Sequence, residues 1–138
     1  MVRSRRRWRR PVGDMPYVEA DFLLALVKEE DWLADAAERV YEDHDDLWTA
    51  RDTLVELMLV AYREGWDVLR VVASAKELVE VRGDVESVLA AASYVEDEGF
   101  TPLDALHLVN SGEGAIVSTD SDYDGFSERI ALEEYTPQ

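Results

Sequence analysis

Short apolar segments alternate along this chain with longer stretches of helical periodicity, and that alternation limits the fold more than any other feature of the sequence. Pro16–Ala20, Leu47-Trp48-Thr49, Leu78-Val79-Glu80-Val81, Ala115–Ser118 and Arg129–Leu132 are short and rich in β-branched or apolar residues. Between them lie Phe22–Val27, Trp32–Tyr41, Ala50–Glu64, Asp67–Ala75, a segment from Asp84 to about Asp97, and one opening at Thr101-Pro102. The punctuation fits helices. Thr49 to Asp52 has the form of a capping box, Asp84 and Thr101 are N-cap residues with Pro102 at the first helical position, and Gly65 and Gly99 stand where helices end. Strands alternating with helices predict βαβ units and a parallel sheet. Ligands of such sheets sit beyond the carboxyl ends of the strands. The strand order stays open.

The chain has 138 residues and a hydrophobic content of 47%, enough for one domain with a sizeable core. It has no cysteine, which excludes disulfides, thiolate metal sites and cysteine nucleophiles and suits a cytoplasmic setting. Its longest apolar runs, Phe22–Val27 and Leu57–Tyr62, fall far short of the roughly 20 residues that span a bilayer. The net charge is −17 and is unevenly spread. Residues 1–14 hold six arginines and one acid, whereas residues 15–138 hold 8 basic and 30 acidic groups. The first stretch reads as a disordered basic extension, with a nucleic-acid arm around Trp8 as the alternative. The second, with only Lys28 and Lys76 as lysines, has the composition of a halophile's protein.

Among so many acids, context must discriminate. Glu56 lies in Leu54-Val55-Glu56-Leu57-Met58-Leu59-Val60, where apolar neighbours predict burial and hence a need for a partner or a metal. Asp104 lies in Leu103-Asp104-Ala105-Leu106-His107, where it can also serve a helix N-terminus. Asp21 and Asp120 each stand where a strand ends, and Asp21 can also be an ordinary N-cap. Asp120-Ser121-Asp122-Tyr123-Asp124-Gly125 opens like a calcium loop, but the twelfth position is Ala131 and a strand precedes it. Four hard oxygen donors suit Mg²⁺ or Mn²⁺ rather than zinc. His44 reads as solvated and His107 as a packing histidine.

The order Val18-Glu19-Ala20-Asp21, Leu54-Val55-Glu56-Leu57, Pro102-Leu103-Asp104-Ala105-Leu106-His107 and Val117-Ser118-Thr119-Asp120 resembles the PIN domain, in particular the VapC-type toxins, over residues 15 to about 134. Where the family more usually has Asp-Thr or Asp-Ser, this chain has Asp21-Phe22. The resemblance implies an α/β three-layer sandwich with a central parallel sheet of about five strands. It implies a Mg²⁺- or Mn²⁺-dependent endoribonuclease whose acidic site residues are Asp21, Glu56, Asp104 and Asp120, with Asp124 as a supplementary ligand and Thr119 orienting the site. It also implies an RNA substrate, a cognate antitoxin and a homodimer, for which Trp32, Trp48 or Trp66 are candidate anchors. The competing expectations are a non-catalytic RNA-binding or scaffold module, a DNA-directed nuclease of related fold, and an acidic domain without a site.

Overall fold

The computed structural model describes residues 15–28, 30–112 and 114–135. The basic residues 1–14 lie outside them. Six helices carry the described chain: α1 (Ala20–Val27), α2 (Ala34–Asp43), α3 (Arg51–Glu64), α4 (Val68–Leu78), α5 (Val85–Glu98) and α6 (Pro102–Ser111). The strands are β1 (Trp48–Ala50), β2 (Glu80–Arg82), β3 (Ile116–Ser118) and β4 (Arg129–Ala131), each of three residues.

The architecture corrects the expected five-stranded central sheet. Of the described residues, 61% are helical, the two 3₁₀ turns included, and they form two separate two-stranded parallel sheets. In one, Thr49 of β1 stands opposite Val81 of β2; in the other, Val117 of β3 stands opposite Ile130 of β4. A single bridge from Tyr17 to Trp48, with the Val18 N–H on the Trp48 carbonyl at 2.9 Å, lays the first extended segment beside β1.

The reason lies in where burial falls. Parallel sheets persist when their strands are apolar on both faces. Here Glu80, Arg82, Val117 and Ile130 are exposed, so these strands are not covered on both faces and form no central layer. The core is helical instead. Leu54, Leu57, Met58 and Ala61 of α3, Val72 and Ala75 of α4, Val88, Ala91 and Ala92 of α5, and Ala105 of α6 are completely buried. Alanines at these contacts let helix axes approach closely, and α3, α4, α5 and α6 pack each against the next. Of the strand residues only Thr49 is fully buried.

Local chemistry explains the helix ends. Asp67 and Asp84 cap α4 and α5 by accepting the N–H groups of Arg70 at 3.0 Å and Ser87 at 3.1 Å. Gly65, with φ of 79°, ends α3 in the left-handed region that a side chain disfavours. The expected capping box at Thr49 does not form. Its hydroxyl donates to the Val18 carbonyl at 2.7 Å, holding the first segment to β1, and Ala50 is the N-cap of α3. Among the described residues no helix is long and apolar enough to cross a membrane.

Candidate functional site

After β3 the chain makes a tight acidic turn. The Asp120 N–H donates to Ser118 Oγ at 2.9 Å, and Asp120 Oδ1 accepts the Asp122 N–H at 2.9 Å, starting a single 3₁₀ turn over Ser121–Tyr123. Such self-capping is a habit of aspartate after an extended segment. Tyr123 then enters the interior and is only 4% exposed. Its ring stacks on Phe100 at a centroid distance of 6.1 Å, and Phe100 meets Phe126 edge-on at 5.0 Å. This aromatic cluster fixes the turn against the junction of α5 and α6.

That docking ties Asp104 to the turn that opens at Asp120. The Tyr123 hydroxyl donates to Asp104 Oδ1 on the first turn of α6, at a long 3.4 Å. Burial, then the charge and hydrogen bond of Asp104, then the charges of Asp120 and Asp122, push the phenol up to about 12. The charges of Asp104, Asp120 and Asp122 therefore all bear on one hydroxyl, and Asp104 alone is hydrogen-bonded to it. Asp104 is half-buried, which limits water's share in satisfying it.

The other two acids stand differently. Glu56 is exposed, which corrects the burial that its neighbours predict. Leu57 and Met58 turn inward, while Glu56 shares the outer strip of α3 with Leu59 at 38% and Tyr62 at 45% exposure. An apolar neighbourhood in sequence became partly a solvent face because α3 packs along one side only. Asp21 is exposed in the first turn of α1, and the N-cap there is Glu19, so Asp21 is not the cap residue. Tyr17 Oη lies 3.2 Å from Thr53 Oγ1, tying the segment before Asp21 to the start of the helix that bears Glu56.

A groove of about 290 Å³ runs between α3 and α6, lined by Arg51, Asp52, Val55, Leu103, Leu106 and His107. The residues just before Glu56 and just before Asp104 both line it. His107 is exposed, contrary to a packing role.

Asp124 does not join the cluster as a free ligand. Arg129 grips it through Nε at 2.8 Å and Nη2 at 3.4 Å, and this pairing holds the carboxyl below its usual range. Arg129 also reaches the Ser118 carbonyl at 2.7 Å, closing β3, the acidic turn and β4 into one unit. Thr119 is exposed. The sequence reading passed over Tyr123 and Arg129. An aromatic residue between two aspartates was the one available sign of the first, and nothing local marked the second.

The donor chemistry fits a hard divalent ion in part. Asp104 receives one long hydrogen bond, and Asp120 is engaged through one oxygen, so both offer carboxylate oxygens. Yet among the described residues no three acids or histidines stand close enough to enclose an ion. No family model, curated protein or solved structure matches the chain.

Proposed function

We propose that this protein is a Mg²⁺- or Mn²⁺-dependent endoribonuclease, the activity implied by its resemblance to the VapC-type PIN toxins. The observation that carries the reading is the Tyr123 hydrogen bond to Asp104, which docks the turn opening at Asp120 against the helix that bears Asp104. It ties one acid chosen from sequence, Asp104, to the turn that opens at another, Asp120, in a chain with 31 acids to choose from.

Asp104 and Asp120 would hold the ion, with Asp21 and Glu56 completing the site from α1 and α3. A divalent ion so held lowers the pKa of bound water and relieves charge on the leaving oxygen. The residues supply positioning. The aromatic cluster fixes Asp120, the Tyr123 hydroxyl fixes Asp104, and Arg129 holds Asp124 back within the turn. A cognate antitoxin and a homodimer belong to the same proposal. The test is cleavage of total RNA with mapped ends, comparing wild type with Glu56→Gln and Asp104→Asn. The expected outcome is discrete cleavage that needs Mg²⁺ or Mn²⁺ and is lost in both variants; cleavage that persists in excess chelator refutes the reading.

One observation favours a second reading, a binding or scaffold module without turnover. Glu56 is exposed and so is under no pressure from burial to take a metal. RNA retained without cleavage in the same assay would support it.

A further inference from the structure

The extended segments that lie side by side around β1 all begin at one place. The Trp48 N–H donates to the Pro16 carbonyl and its indole Nε1–H to the Met15 carbonyl, each at 3.1 Å, so Met15 is held beside the start of β1. A cavity of about 590 Å³ opens there. Met15 lines it together with Asp45 and Asp46, which lead into β1, and with Glu77 and Glu80, which flank the entry to β2. None of Asp21, Glu56, Asp104 and Asp120 lines it.

The charged groups on its walls are acids. Among the described residues no lysine or arginine lines it, and its histidine, His44, has Nδ1 3.0 Å from the Val40 carbonyl oxygen. Glu77 and Glu80 pair with Lys76 at 3.6 Å and Arg82 at 3.1 Å, two bases outside the lining. Counting those two bases against the four acids still leaves a net of −2. Asp45 and Asp46 have no cationic partner among the described residues. Two helices also end at this mouth, α2 just before His44 and α4 at Leu78. Helix ends of this kind present carbonyl oxygens with partial negative charge, which favour a cation. Leu47, Leu78 and Val79 add an apolar wall on which the stem of a long basic side chain can lie.

The chain itself carries the matching group. Residues 1–14 hold six arginines, Arg3, Arg5, Arg6, Arg7, Arg9 and Arg10, against one acid, and they join the described residues at Met15, on the wall of this cavity. Arg9 and Arg10 precede Met15 by six and five residues, so even a fully extended chain holds them within about 20 Å of it. A short connection of that kind supplies a roughly millimolar effective concentration, enough for individually weak ion pairs to close. We propose that the segment Arg3 to Arg10 docks into this cavity of its own chain, with guanidinium groups on Asp45 and Asp46 and their stems on Leu47, Leu78 and Val79. Docked, the segment is an internal counter-cation for the acidic mouth, and its arginines are withheld from outside polyanions. The inference stands apart from the ribonuclease reading.

The test is paramagnetic broadening in the full chain. The protein has no cysteine, so Ser4→Cys takes a single nitroxide label and keeps all six arginines. In isotopically labelled protein the nitroxide should selectively erase the amide signals of Asp45–Leu47 and Glu77–Glu80, relative to the same protein with the label reduced. Asp45 and Glu77 are exposed, so Asp45→Asn with Glu77→Gln keeps the fold, which the unmoved signals of the helical core will report. That pair of substitutions should restore the erased signals, whereas Glu98→Gln, near the end of α5, should not. Raising KCl from about 0.1 M to about 1 M shortens the screening length from about 10 Å to about 3 Å and should restore them too. Three results overturn the proposal: signals at the mouth that are never erased, erasure spread evenly over the acidic surface, and erasure unchanged by Asp45→Asn with Glu77→Gln. A mixture of nitroxide-bearing protein without isotope and isotopic protein without nitroxide gives the last control. Erasure there as strong as within one chain places the segment on a second copy and overturns docking on its own chain.

Discussion

Tyr123 is the residue on which the candidate site turns. Its hydroxyl donates to Asp104, and burial followed by the charges of Asp104, Asp120 and Asp122 favours the neutral phenol well above its ordinary range. Ultraviolet titration should show one of the six tyrosines ionising near 12. Asp104→Asn should bring that step down, and Tyr123→Phe should delete it. The sign for stability follows. Between about pH 10 and 12 the unfolded chain gives up this proton while the folded chain keeps it, so stability contributed below 10 is lost as pH rises through 12. Glu56 makes the complementary case. Because it is exposed, Glu56→Gln should leave the unfolding free energy within about 0.5 kcal/mol of wild type. If it serves the site, that same substitution abolishes cleavage, which separates function from folding in one variant. The sequence chose Glu56 by its apolar neighbours, and that argument does not survive its exposure; only its place beside the α3–α6 groove now recommends it. Asp104 and the turn that opens at Asp120 have gained, because Tyr123 joins them through tertiary packing that local pattern cannot display.

At the scale of elements, Arg129 and the aromatic cluster do the positioning. Arg129→Met removes the cation that binds Asp124 and the Ser118 carbonyl together. The stretch from β3 to β4 should then exchange its amide protons faster, with α3 to α5 unaffected, as hydrogen exchange can read residue by residue. The helical core responds differently. Met58→Ala empties a fully buried position on α3 and should cost about 2–5 kcal/mol. Helices were well marked in the sequence, since their periodic faces, the aspartate cap at Asp84, and the glycine stops at Gly65 and Gly99 are local signals. Thr49 shows where local reading fails. It has the position and type of a capping residue, yet its hydroxyl is spent on Val18, 31 residues away. Strands were harder for the same reason. The extended segments were found, but a strand's partners are set by tertiary contacts, and three-residue strands with exposed faces pair only in twos.

For the whole molecule, charge dominates. With a net of −17, self-repulsion opposes the compact state until salt screens it. The thermal midpoint should rise as KCl increases from about 0.1 M to about 1 M, where the screening length falls from about 10 Å to about 3 Å. A midpoint that falls over that range would contradict the electrostatic account. The same charge makes diffuse metal binding easy, so binding alone is weak evidence for a site, and site-specific loss is what counts. The direct measurement is Mn²⁺ binding by electron paramagnetic resonance at high ionic strength, comparing wild type with Asp104→Asn, Asp120→Asn and the distant control Glu80→Gln. The account predicts saturable binding that Asp104→Asn and Asp120→Asn each weaken and Glu80→Gln leaves alone. Equal binding by all four proteins would contradict it.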